Sequence, residues 1–202
     1  EKGEPDKAYF IGLKQVATRV TRYVKSLVKS RFDKERSLLD KTVDDQKMAW
    51  GTKGHKDVEL LIKRYLTSEG KLVKVNGQLI PQNTEPIKSE MDPRNIGLFT
   101  TLQEYVLDLL NSYPEDTVFR LEQPIYSDRG GKTGERDIAG TVDFMAIMPD
   151  GKRDILYWKF VSINKEKYGD IAWFKQNEWN LQMLEYKKIL KRDYGLKDTD
   201  FG

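Results

Sequence analysis

The 202-residue chain contains no cysteine. This excludes disulfides, iron–sulfur clusters and thiolate zinc sites, and it fits a reducing, cytoplasmic compartment. Histidine is nearly as scarce, and His55 is the single imidazole available to a metal or a proton. No run approaches the roughly 18 consecutive apolar residues of a membrane span, so no membrane partner is expected. Glu1-Lys2-Gly3-Glu4-Pro5 has no apolar stretch behind a basic one, so no secretory signal is expected. The absence of an initiator Met points to a chain trimmed or cut from a longer polypeptide. Also missing are a G-x-x-x-x-G-K-[ST] phosphate loop, a G-x-S-x-G elbow and a dinucleotide fingerprint between strand and helix. Gly130-Gly131-Lys132-Thr133 lacks the upstream glycine of a phosphate loop and is followed by strands, so it reads as a loop bordering a cleft.

Charged residues make up 33% of the chain and hydrophobic ones 38%, which predicts a well-solvated surface around one medium core. The net charge of +3 permits a nucleic-acid partner without requiring one, so the placement of charge must decide. Over residues 13–31 the apolar positions Leu13, Val16, Val20, Val24, Leu27 and Val28 recur at helical spacing. Lys14, Arg22, Lys25 and Lys29 fall on another face, as a solvated surface or as a stripe that tracks phosphates. Residues 33–49 read as a charged connecting or lid helix. Gly51-Thr52-Lys53-Gly54 opens a third helix, to about Leu66, with Val58, Leu61, Ile62 and Tyr65 apolar.

Residues 71–80 alternate around Asn76-Gly77, a hairpin signal. A proline-containing surface loop over 81–95 precedes a helix over 96–113, which Pro114 ends. Strands are expected at 118–126, 138–148 and 154–161, with a Gly-rich loop at 127–135 and a turn at Pro149-Asp150-Gly151-Lys152. A helix over 170–192 follows. The order predicts an α/β (α+β) fold in which a mixed central sheet is flanked by helices. It divides into an N-terminal helical arm, 1–50, and a core, 51–202.

The strongest chemical signal lies in two consecutive strands. Gly140-Thr141-Val142-Asp143 sets a carboxylate in an apolar strand, and Ile155-Leu156-Tyr157-Trp158-Lys159 sets an ammonium in the next. Alternation places Tyr157 and Lys159 on one face, where a hairpin would bring Lys159 toward Asp143. Lone charges are costly inside a strand, so the two either pair as a structural salt bridge or form a hydrolytic site. In the second case Asp143 binds a divalent cation, while Lys159 orients water and stabilises charge on a phosphate.

Upstream stands Gly51-Thr52-Lys53-Gly54-His55, and downstream stands Gln182-Met183-Leu184-Glu185-Tyr186. This ordered set resembles the RecB-like branch of the PD-(D/E)XK, or restriction-endonuclease-like, nuclease superfamily. That branch has G-T-x-x-H, G-x-x-D, D-x-K and Q-x-x-x-Y motifs in the same order. The resemblance covers about 51–186 and implies a restriction-endonuclease-like core and a Mg²⁺- or Mn²⁺-dependent deoxyribonuclease, of exonuclease type. It implies metal binding by His55 and Asp143 and a catalytic role for Lys159. Glu122 resembles an acid that precedes the G-x-x-D strand, as a ligand or as a plain surface carboxylate. Gln182 and Tyr186 are implied to contact substrate or support the site, and Lys175 and Trp179 continue their helix face. Trp179 and Tyr186 also read as core aromatics.

The sequence departs from the pattern at Tyr157, where the family has Asp or Glu. A phenol with an ordinary pKa near 10 replaces a bridging carboxylate poorly. Three explanations stand open. Glu59, Glu122 or Asp154 supplies the missing charge; or one cation is held by His55, Asp143 and the Trp158 carbonyl; or the site has degenerated into a module that binds nucleic acid or scaffolds a complex. The expected partner is DNA, as a single strand or a duplex end. Other subunits of a replication, recombination, repair or phage DNA-processing assembly are further expected partners.

Overall fold

The apolar stripes that follow residue 50 become two helices, α2 (Lys41–Lys63) and α3 (Ile96–Asn111). They belong to a computed structural model that describes residues 9–11, 14–27, 41–91, 96–127, 137–160 and 165–201. The chain divides into two compact units, one of residues 1–38, 122–142 and 163–198, the other of 39–121, 143–162 and 199–202.

In the second unit, Val58, Leu61 and Ile62 of α2 meet Val106 and Leu110 of α3 in a buried cluster. Tyr113, Phe119, Phe144 and Ala146 complete it. Phe119 lies on strand β5 (Val118–Ser127), and Phe144 and Ala146 lie on β6 (Asp137–Ile147). The rings of Tyr113 and Phe119 meet edge to face at 5.4 Å, and Phe144 lies 5.6 Å from Phe119. These are distances at which aromatic pairs add to simple area burial. Beside the core, Asn76 and Gly77 adopt φ of 51° and 75° between β3 (Lys74–Val75) and β4 (Gln78–Leu79). Two positive φ values in a two-residue loop are what a type I′ hairpin requires, and the register Lys74↔Leu79 follows from it. Asp57 of α2 is fully buried and accepts hydrogen bonds from the Glu90 N–H at 2.7 Å and from the Ser89 hydroxyl. These bonds satisfy a carboxylate that would be costly to bury alone, and they tie the proline-containing loop to α2.

Burial pushes the Tyr113 phenol well above its ordinary range, and the adjacent Asp154 carboxylate pushes it further. A group whose folded pKa is raised contributes stability below its unfolded pKa, near 10, and loses that contribution as pH rises toward the folded value. Stability against urea is therefore expected to fall above about pH 10, and Tyr113→Phe is expected to flatten that fall.

In the first unit, β1 (Tyr9–Ile11) pairs antiparallel with β2 (Lys14–Arg19). β2 then pairs parallel with β6, with Ala17 opposite Asp137. The sheet order is β1-β2-β6-β5, and β7 (Arg153–Leu156) pairs antiparallel with the far end of β6. Helix α1 (Val20–Leu27) packs on the 30-residue α4 (Lys165–Tyr194). The sheet is therefore mixed, and the architecture is α+β. Pro124 lies on β5, an end strand of that order, where a missing N–H costs least. Among the described residues no helix is long and apolar enough to cross a membrane.

Three expectations change. Residues 14–19 are strand rather than helix, so the segment before residue 51 is not a wholly helical arm. Within 14–19 only Val16 and Ala17 are apolar, too few to set a period, and pairing with β1 and β6 decides for the strand. The basic residues Lys14, Arg22, Lys25 and Lys29 do not form one helical stripe, because Lys14 lies on β2. Arg22 and Lys25 lie on α1 with side chains outside those described. Lys29, residues 33–40 and the Gly-rich segment 128–136 also lie outside the described residues. Finally, Gly51 does not open a helix. α2 begins at Lys41 and runs through both glycines, which puts His55 in its interior.

Candidate active site

The second unit builds a site from one helix and one strand end. β6 and β7 pair from Ile147↔Arg153 to Phe144↔Leu156, and there β7 stops. The next pair would have been Asp143 with Tyr157. Instead the Trp158 N–H donates to Asp143 Oδ2 at 3.1 Å, so a side chain takes up a donor the ladder no longer pairs. The Trp158 ring packs edge to face on Phe144 at 5.6 Å. Its Nε1 is buried without a partner among the described residues, so packing holds the ring. The expected strand over 154–161 is thus cut to Arg153–Leu156, and alternation no longer sets where Lys159 points.

Asp143 is 8% exposed. His55 Nδ1 lies 3.3 Å from the same Oδ2, so a histidine on α2 and an aspartate on β6 meet at one oxygen. The Trp158 N–H satisfies one acceptor position of the carboxylate, and the imidazole lies beside it. The Lys159 ammonium is engaged with Tyr157 instead, donating to its hydroxyl and lying 3.7 Å from its ring centroid. Such a contact combines a charge-assisted hydrogen bond with attraction to the ring face.

Of the three acids that could supply the carboxylate missing at Tyr157, Glu59 and Asp154 are committed to other partners. Glu59, one turn beyond His55, is held by Lys56 at 3.1 Å and Lys63 at 2.5 Å. Burial pushes its carboxyl up, but those two lysines pull it down further, to a net position below the usual range. Asp154 pairs across β6 with Ala146, on the opposite alternation face from Asp143, and its carboxylate meets Tyr113. Glu122 belongs to the first unit, where it is exposed at φ 49°. Among the described residues no three His, Cys, Asp or Glu side chains group as a metal would need.

One carboxylate and one imidazole are a sparse donor set. Mg²⁺ is commonly held by one or two carboxylates with waters and substrate phosphates completing its shell. Its adjacent octahedral vertices lie about 3 Å apart, so the 3.3 Å between Nδ1 and Oδ2 would let both groups reach one ion.

The first unit holds the other motif residues. Gln182 Nε2 donates to the Tyr186 hydroxyl at 2.7 Å, and both residues are buried, 4% and 3% exposed. A Cβ on Gly140 would meet Tyr186 Cε1 at 2.6 Å and Val20 Cγ2 at 3.1 Å. The glycine of G-x-x-D thus makes room for the tyrosine of Q-x-x-x-Y. The two motifs fit each other by packing. Gly140→Ala is expected to destabilise the fold by about 1–3 kcal/mol through overpacking, read as a lowered urea midpoint. Lys175 lies on α4 with its side chain outside those described, and Trp179 is half-buried.

No protein-family model, no curated protein and no solved structure matches this chain.

Sequence reading missed Trp50 and Phe160. Trp50 lies at 5.8 Å and His55 at 5.6 Å from the Phe160 ring. The available signal was a pair of glycines three apart inside a helix, which marks a close approach by another element.

Proposed function

We propose that the chain is a metal-dependent nuclease acting on DNA, with a single cation site formed by His55 and Asp143. The observation that carries the reading is the meeting of His55 and Asp143 on one oxygen, beside a segment that carries Lys159. Support also comes from the resemblance of the motif set to the RecB-like nucleases, which extends the reading to a restriction-endonuclease-like core. A bound Mg²⁺ or Mn²⁺ would polarise a phosphoryl oxygen and make water more nucleophilic. The Trp158 N–H holds Asp143 in place, with the Trp158 carbonyl as an additional hard oxygen donor. The Lys159 ammonium, held by Tyr157, would offset negative charge developing on phosphorus oxygens. Gln182 and Tyr186, bonded to each other and buried, serve support rather than substrate contact. The substrate is a DNA strand or end, cut in exonuclease fashion during replication, recombination, repair or phage DNA processing.

A second reading is a nuclease-fold module that binds nucleic acid, or scaffolds a complex, without cutting. It is favoured by Tyr157 and by the commitment of Glu59 and Asp154 to other partners. Labelled single- and double-stranded DNA incubated with Mg²⁺, Mn²⁺ or EDTA separates the two. Cleavage that EDTA abolishes supports the nuclease. Salt-dependent binding without cleavage supports the module, and binding with no salt dependence points to a protein partner.

A further inference from the structure

We infer that Phe160 is a positioning residue that sets the His55 imidazole toward Asp143. The inference rests on the proposed role of that pair. Phe160 sits two residues beyond Trp158, whose N–H fixes the carboxylate. Its ring meets His55 at 5.6 Å and 61°, and Trp50 at 5.8 Å and 87°. Beneath the ring lies Gly54, where a Cβ would fall 2.6 Å from Phe160 Cγ and Cδ1 and 2.7 Å from Cδ2. At Gly51 an added Cβ would stand 3.8 Å from the Phe160 carbonyl oxygen. The ring is therefore seated on the bare backbone of α2, with an aromatic side chain on either side.

Glycine is a poor residue for the interior of a 23-residue helix, and two within four positions weaken it at the point that presents His55. Close seating of Phe160 accounts for the second of them. An imidazole on a helix surface samples several rotamers, and a T-shaped neighbour restricts that choice. The tripeptide 158–160 thus holds both partners, the carboxylate through a backbone N–H and the imidazole through a ring. In metal sites, groups that orient a ligand commonly change affinity 10- to 100-fold when removed.

His55 is the only histidine, so its ring resonances are unique in an NMR spectrum. The test compares the full chain with Phe160→Leu, Phe160→Tyr, Gly54→Ala and the Gly54→Ala/Phe160→Leu double variant at one pH. It reads the His55 χ1 rotamer from three-bond couplings, which do not respond to the ring current of Phe160 itself, the apparent Mn²⁺ affinity from paramagnetic broadening of the His55 signals, and the thermal midpoint. Phe160→Leu is expected to average the His55 couplings over several rotamers and weaken Mn²⁺ about 10-fold or more, with Phe160→Tyr restoring both. Gly54→Ala, which displaces the ring without removing it, is expected to change the couplings as well. The double variant, freed of the clash, is expected to melt above Gly54→Ala alone. A lowered midpoint with unchanged His55 couplings and unchanged Mn²⁺ affinity in Phe160→Leu would overturn the inference and leave Phe160 a packing residue. Couplings that respond to Phe160→Leu, in a protein whose His55 signals ignore Mn²⁺, would uphold the positioning role and overturn the metal reading.

Discussion

Asp143→Asn is expected to abolish most metal-dependent cleavage while leaving the fold in place. The amide keeps an oxygen for the Trp158 N–H, now 3.1 Å from Oδ2, but removes the negative charge that faces His55 and that the proposed site would offer to a cation. Losing metal-based stabilisation of the transition state is worth several kcal/mol, or about 10²- to 10³-fold in rate. Asp143→Ala removes the acceptor as well, leaves the Trp158 N–H without its partner, and is expected to cost a further ~1–3 kcal/mol of stability. Cleavage rates and urea midpoints of the two variants, measured side by side, separate charge from shape. Equal cleavage by wild type and Asp143→Asn would place the chemistry elsewhere.

The second large effect runs the other way. Tyr157→Asp is expected to raise Mn²⁺ affinity and cleavage, each by about 10-fold or more, since adding a charged ligand is the main lever on divalent-cation affinity. Position 157 follows the last β6–β7 pair, Phe144↔Leu156, and adjoins the residue whose N–H holds Asp143. Lys159, engaged with the Tyr157 hydroxyl, would find a carboxylate there and form a stronger, charge-assisted bond. Parallel titrations of wild type and variant with Mn²⁺, followed by single-turnover cleavage, decide the matter. No gain in either quantity would mean that the site no longer uses a second acid, as the non-cutting module predicts.

The core and the hairpin were legible because their signals are local and unambiguous. Val58, Leu61 and Ile62 keep one helical face, and Asn76-Gly77 carries the backbone freedom that a two-residue turn demands. The N-terminal strand was not legible, because Val16 and Ala17 are its only apolar residues and set no period, so only the partners β1 and β6 choose the strand. Among site residues, Asp143 stood out as a carboxylate in an apolar strand, and the structure places it 3.3 Å from His55. The direction of Lys159 was lost because β7 ends at Leu156, beyond which the Trp158 N–H donates to the Asp143 side chain. Phe160 carried no motif, and its mark was the absence of a side chain at Gly54, which a pattern search for functional groups passes over.

Cleavage of end-labelled single- and double-stranded DNA by the full chain, in Mg²⁺, Mn²⁺ or EDTA and beside Asp143→Asn and Lys159→Ala, tests the central claim most directly. The account predicts cutting that needs the cation and is lost in both variants. Intact DNA under every metal, from protein that is folded and binds the strand, would contradict it.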